Sequence, residues 1–231
     1  MAGSLTWLGH AAFRIDSPGG KRIYVDPFLT GNPKCPENEQ NPERADVIAV
    51  THGHGDHVGD TVELSKKLSP EAVVAQVELK GWLKQQGAKV DDLPGSNKGG
   101  TVQAAGCTFT LTNAFHSSSS DSGDYTGEAC GVVIGLEDET TIYFAGDTCV
   151  FSGMQLIGRI YEPDLAVIPI GDHFTMSPRE AAVALELLGN PRCVPCHWGT
   201  FPLLMGTPQK LKELAPGADI VDVEPGGTVE L

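Results

Sequence analysis

Thr51-His52-Gly53-His54-Gly55-Asp56-His57 packs four side chains able to bind metal into six residues. It follows Asp46-Val47-Ile48-Ala49-Val50, an apolar, β-branched run that reads as a buried strand. Gly53 and Gly55 let the backbone bend sharply after that strand. His52 and His54, two apart in extended chain, project to the same side. Asp56 and His57 open the next helix and can face a second centre. Imidazole and carboxylate together suit zinc, iron or manganese. A polar turn with chance histidines is a poor account of so dense a cluster placed directly behind an apolar strand.

Working outward, the same grammar recurs three times. His116 follows the apolar run Phe109 to Phe115, Asp147 follows Ile142-Tyr143-Phe144-Ala145-Gly146, and His197 follows Val194-Pro195-Cys196. Each sits just past a strand end, where α/β sheets build their sites. Singly, each could be structural; together they supply enough ligands for two ions. Two of the seven histidines remain, His10 beside Gly9 and His173 beside Asp172. Either could touch substrate or donate a proton to a leaving group, the alternative being a satisfied structural histidine. Asp26, ending an N-terminal strand, is the first candidate to hold a ligand imidazole from behind. Asp56 can serve both as ligand and as orienter of a nucleophile, so the candidate catalytic set is Asp56, His10 and His173.

The rest of the chain alternates strand and helix signals. Leu5 to Leu8, Ala12 to Asp16 and Lys21 to Val25 read as strands, the last two joined by the Ser17-Pro18-Gly19-Gly20 turn. Residues 31 to 44 read as a surface loop. Val58 to Leu68 carries helical spacing, and Val77 to Gln86 forms a helix stopped by Gly87. Strands are expected at 72–75, 102–104, 107–115, 131–136, 141–144, 165–170 and 194–196. A helix capped by Ser177 and started by Pro178 runs to about Leu188. A short helix at 208–214 and an edge strand close the chain. Residues 117 to 129 form a Ser-, Asp- and Gly-rich loop, either a pocket wall or lid or a plain mobile loop. Phe174, Thr175 and Met176 are candidates to line the pocket. No linker or repeat divides residues 1–231, which read as one domain with about five helices.

Bulk properties narrow the function. Thirty acidic residues against sixteen basic ones give a formal charge of −14, and no basic run appears. That argues against nucleic acid, whose phosphates require Lys and Arg patches. No apolar stretch approaches a membrane span, and no signal segment precedes the first strand, so a cytoplasmic protein is expected. Of the six cysteines, Cys193 and Cys196 form a Cys-x-x-Cys pair without a second such pair; buried structural thiols are the simpler reading.

The string from His52 to His57 resembles the His-x-His-x-Asp-His motif of the metallo-β-lactamase superfamily, and His116, Asp147 and His197 match its remaining ligand positions in order. Trp7-Leu8-Gly9-His10, Asp26-Pro27-Phe28 and Gly146-Asp147-Thr148 resemble the branch of small metal-dependent hydrolases related to ascorbate-6-phosphate lactonase. The resemblance implies a four-layer αββα sandwich with the site at one edge. It implies that His52, His54 and His116 hold a first ion, that Asp56, His57 and His197 hold a second, and that Asp147 bridges them. Two divalent cations are therefore expected, zinc first, with manganese or iron accommodated by the same ligands. His54 stands where the oxygen-reducing di-iron branch carries Glu, which argues against redox chemistry.

Two such ions, about 3.5–4 Å apart, share a water and lower its pKa, giving a bridging hydroxide that attacks a carbonyl or phosphoryl centre. The expected activity is hydrolysis of a small ester, lactone, amide or phosphoester. A nuclease or phosphodiesterase of the same superfamily would need a basic face. A catalytically inactive metal-binding protein would be marked by a lost ligand, and all seven positions are filled. The expected partner is a small-molecule substrate, with neither nucleic acid nor membrane; the oligomeric state is left open.

Overall fold

The computed structural model describes residues 2–231 and places two six-stranded mixed sheets face to face. The first holds β1 (Ser4–Trp7), β2 (Phe13–Asp16), β3 (Arg22–Val25), β4 (Val47–Ala49), β5 (Ala72–Val74) and the C-terminal β12 (Thr228–Glu230), in the order β12-β1-β2-β3-β4-β5. The second holds β6 (Thr101–Ala104), β7 (Cys107–Asn113), β8 (Cys130–Gly135), β9 (Thr141–Phe144), β10 (Leu165–Pro169) and β11 (Arg192–Cys196), in the order β11-β10-β9-β8-β7-β6. In each sheet, antiparallel pairs give way to parallel ones: β3-β4-β5 in the first and β9-β10-β11 in the second.

Side-chain alternation explains the layering. Val47 and Ala49 face the core between the sheets, where they join Phe13, Ile15, Phe109, Leu111, Ile134 and Val194. Ile48 and Val50 face the other way, with Tyr24 and Val73, onto Leu64, Leu79 and Leu83. Those leucines come from α2 (Thr61–Leu68) and α3 (Val77–Gln85). On the far side, Tyr143, Ala166 and Ile168 pack against α4 (Met154–Tyr161), α5 (Pro178–Leu188) and α6 (Pro208–Leu214). Strands buried on both faces must read as continuous apolar runs, and β4 and β10 do. The result is the four-layer αββα sandwich.

The helical signal from Val58 to Leu68 resolves into two pieces. α1 (Gly55–Val58) ends at Gly59, whose φ of 44° breaks the helix before α2 begins. Helix α4 carries no recognisable signal in the sequence, so the α-helices among the described residues number six rather than about five. The Ser177 hydroxyl accepts from the Glu180 amide while Glu180 reaches back to the Ser177 amide, a complete capping box. All six cysteines are free. Cys193 and Cys196 are both buried in β11, and burial pushes each thiol up. No helix among the described residues is long and apolar enough to cross a membrane.

Candidate metal centre

The seven predicted ligands converge at one edge of the sandwich. His52 and His54 lie in the segment between β4 and α1, Asp56 and His57 within α1, and His116, Asp147 and His197 in the segments after β7, β9 and β11. The ligand atoms of His52, His54 and His116 lie within 4.8 Å of one another, and so do those of His10, Asp56, His57 and His197. Asp147 Oδ2 stands between the groups, 3.5 Å from His116 Nε2, 3.3 Å from His57 Nε2 and 3.2 Å from His197 Nε2.

A buried hydrogen-bond chain aims these rings. Asp26 Oδ1 accepts from the Thr51 amide at 2.8 Å, and Asp26 Oδ2 accepts from the Thr51 hydroxyl at 2.7 Å and from His57 Nδ1 at 2.7 Å. Because the hydroxyl spends its one proton on Asp26, it must accept from His52 Nδ1, 3.1 Å away. Both imidazoles thereby engage this chain through Nδ1, which leaves His57 Nε2 facing Asp147 Oδ2 at 3.3 Å and His52 Nε2 facing His54 Nδ1 at 2.9 Å, the edge of each ring that a metal-binding histidine offers. Asp26 itself holds φ at 47°, in the left-handed region, as do His10 at 57° and His197 at 56°. Strained backbone of this kind persists where the surroundings over-determine it.

The residues fit divalent cations on direct observation. His57 Nε2, His197 Nε2 and Asp147 Oδ1 are buried polar atoms with no hydrogen-bond partner. Such atoms cost about 1–3 kcal/mol each when left unsatisfied, and an ion would satisfy them together. Electrostatics are divided: burial would lower His57, but Asp147 and Asp26 outweigh it and hold the ring well above the ordinary histidine value, so an ion there must displace a proton. Burial alone would push the Asp147 carboxyl up, but the His197 and His57 imidazoles outweigh it and hold it well below the usual carboxylate range. Burial keeps His52, His54 and His116 below the ordinary histidine value, hence neutral and able to ligate.

A cavity of about 350 Å³ opens over the cluster, lined by His54, Asp56, His116, Ser117, Asp147, Phe174 and His197, with no lysine or arginine among these lining residues. Phe174 is thus at the pocket as expected, whereas Thr175 and Met176 are not among its lining residues. His173 is not drawn into the cluster; it is exposed, with its ring against Phe174 at 4.4 Å. His10 is drawn in, fully buried, with Nε2 2.9 Å from Asp56 Oδ2. Of the 117–129 loop only Ser117 lines the cavity, and the remainder is tied back to the fold. Ser118 Oγ accepts from the Gly53 amide and pairs with the Thr126 hydroxyl, and Trp82 Nε1 donates to Asp124. Ser117 Oγ lies 3.3 Å from His54 Nε2. The sequence reading missed Thr51 and the contact of Ser117 with His54; adjacency to His52 and His116 was the only available signal for either.

Comparison with known proteins agrees with this geometry. Residues 21–198 match the family model described as a beta-lactamase superfamily domain. A UPF0173 metal-dependent hydrolase of Koribacter versatilis is 45% identical over 97% of this chain and 96% of its own length. One from Rubrobacter xylanophilus is 45% identical over 96% of this chain and 94% of its own. Among solved structures, the metallo hydrolase Igni18 of Ignicoccus hospitalis superposes with a TM-score of 0.87 at 33% identity, covering 100% of this chain and 99% of that one. An isothiocyanate hydrolase from Delia radicum gut bacteria superposes with a TM-score of 0.75 at 23% identity, covering 99% of both chains, a likeness of fold.

Proposed function

This chain belongs to the metal-dependent hydrolases of the beta-lactamase superfamily, and from that premise we propose that it is a binuclear hydrolase of small, uncharged acyl substrates: esters, lactones or amides. The observation that carries the reading is the position of Asp147 Oδ2, within 3.5 Å of a histidine from each of the two ligand groups. His52, His54 and His116 would hold one divalent cation and Asp56, His57 and His197 the other, with Asp147 shared. Bound there, the cations supply Lewis acidity and bring the pKa of water towards neutrality.

The chain's own residues do the rest. Asp26 and Thr51 fix the tautomers of His52 and His57. Asp56, at the cavity floor, is placed to orient the proton of an attacking water. Phe174 presents an apolar wall to the substrate, and Ser117 offers a hydroxyl beside His54. The uncharged acyl class is favoured by the apolar side chain that Phe174 brings to the lining; a phosphoester, which the cations themselves could hold, is the competing class that the screen below separates. The formal charge of −14 also disfavours a polyanion such as nucleic acid. Zinc is the first choice of metal for this nitrogen-rich donor set, with manganese or iron as alternatives. Six unpaired thiols suit a reducing compartment and support a cytoplasmic location.

The test is an activity screen of zinc-, manganese- and iron-loaded protein on carboxylic esters, lactones, amides and phosphodiesters, with elemental analysis of each sample. Two metal equivalents and turnover of an uncharged acyl substrate are expected. Turnover of phosphodiesters alone, or a single equivalent in the active protein, would overturn the reading.

A further inference from the structure

Trp7-Leu8-Gly9-His10 forms the turn between β1 and β2, and its polypeptide is gripped from several sides. The His10 carbonyl accepts from Trp7 Nε1 and from the His197 amide, each at 2.9 Å. The Gly9 carbonyl accepts from Asn32 Nδ2 at 3.1 Å. These bonds tie an N-terminal turn of the first sheet to the residue that follows β11 of the second, and hold His10 at a φ of 57°. The ring they deliver is fully buried. It lies 4.0 Å from the His197 ring, with the edges of Phe201 at 5.4 Å and Phe28 at 6.0 Å.

We propose that His10 is a positioning residue for the second metal subsite: its Nε2–H donates to Asp56 Oδ2 and so fixes the carboxylate for binding the cation. This rests on the two-subsite reading above. Two observations separate the role from direct ligation. His10 Nε2 points along a hydrogen-bond axis at the Asp56 oxygen, 2.9 Å away. His57 Nε2 and His197 Nε2, by contrast, are buried without a hydrogen-bond partner and lie 3.3 Å and 3.2 Å from Asp147 Oδ2. An ionised carboxylate only accepts, so the proton of the pair sits on His10 Nε2. His10 Nδ1 is then the unprotonated nitrogen, a buried acceptor without a donor. A ligand carboxylate held by a hydrogen bond from behind is the counterpart of what Asp26 does for His57.

The experiment is a competition titration with a chromophoric zinc chelator that resolves the two equivalents, on wild type, His10→Phe and His10→Gln. Thermal melts of the metal-free proteins establish that each variant folds. In His10→Phe, which keeps an aromatic ring without the donor, the second equivalent is expected to bind about 10–100-fold more weakly and the first to be unchanged. His10→Gln, whose amide N–H can replace the donor, is expected to regain most of the loss. An unchanged second equivalent in His10→Phe, or no regain in His10→Gln, overturns the assignment.

A nitrogen-15 correlation spectrum of zinc-loaded wild type tests the same point without a variant. A proton retained on His10 Nε2 supports the proposal, and its loss would make His10 a ligand and refute it. If wild type takes no second equivalent, the binuclear reading fails, and the Nε2–H signal of the metal-free protein decides the His10–Asp56 bond by itself.

Discussion

Asp26 does not line the cavity over the metal cluster, yet three hydrogen bonds converge on its carboxylate, two from Thr51 and one from His57. Asp26→Asn keeps the size but places a donor where an acceptor is needed, against Thr51 Oγ or His57 Nδ1. We expect metal affinity to fall about 10–100-fold, measured by chelator competition, with the metal-free fold intact by circular dichroism. Unchanged affinity would mean that the imidazoles are aimed by packing alone. Asp147→Ala is a harsher change, because one oxygen serves both ligand groups: turnover is expected to vanish and bound metal to drop by elemental analysis. Full activity in that variant would remove the shared role. The convergence of the seven candidate ligands was legible in the sequence because each stands just beyond an apolar strand and four fall within six residues. The contact of His10 with Asp56 was not legible. It depends on a left-handed turn and on the side-by-side pairing of β1 through β4 within the first sheet, which brings the two strand ends together, and neither has a local signature. His173 shows the opposite failure, since the same strand-end grammar delivers it to solvent.

Among the elements, α4 was illegible for a reason that its packing explains. Met154 and Ile157 are its buried residues, whereas Leu156 and Ile160 are exposed, so its apolar pattern does not track its buried face. Gly158 weakens the helical signal further, yet it is required: a Cβ there would sit 2.5 Å from the Leu188 carbonyl oxygen at the end of α5. Gly158→Ala therefore sets two effects against each other. Alanine gains about 1 kcal/mol of helix propensity over glycine, and overpacking costs about 1–3 kcal/mol. The contact is with backbone, which cannot swing aside, so we expect a net loss of stability in urea unfolding; a gain would show that the helices separate freely. Helix α5 was legible for the opposite reason, since its cap, its Pro178 and its acidic first turn are all local. Ser177→Ala is expected to cost about 1 kcal/mol in the same measurement.

At the scale of the whole molecule, the candidate metal ligands are divided between the two sheets. His52, His54, Asp56 and His57 follow the first, and His116, Asp147 and His197 the second. Strand content was readable from apolar runs, but which strands pair was not: β12 closes onto β1 from the far end of the chain, a contact that loop chemistry does not encode. Cations held between the halves, as proposed, would bind the native arrangement and not the unfolded chain, and so would add to stability by mass action. With metal at about a thousand times its dissociation constant, one site contributes about 4 kcal/mol. For a chain of this length each kcal/mol moves the midpoint by about 2–4 °C, so stripping even one ion should lower Tm by about 8–16 °C. Differential scanning calorimetry before and after chelation, with re-addition of zinc as the reversal, measures this. The shift should grow with free zinc concentration, since stabilisation follows the logarithm of ligand excess. A Tm indifferent to chelator and to added zinc would mean that the ligands stand preformed without an ion between the sheets, and the orphaned nitrogens of His57 and His197 would then need another partner.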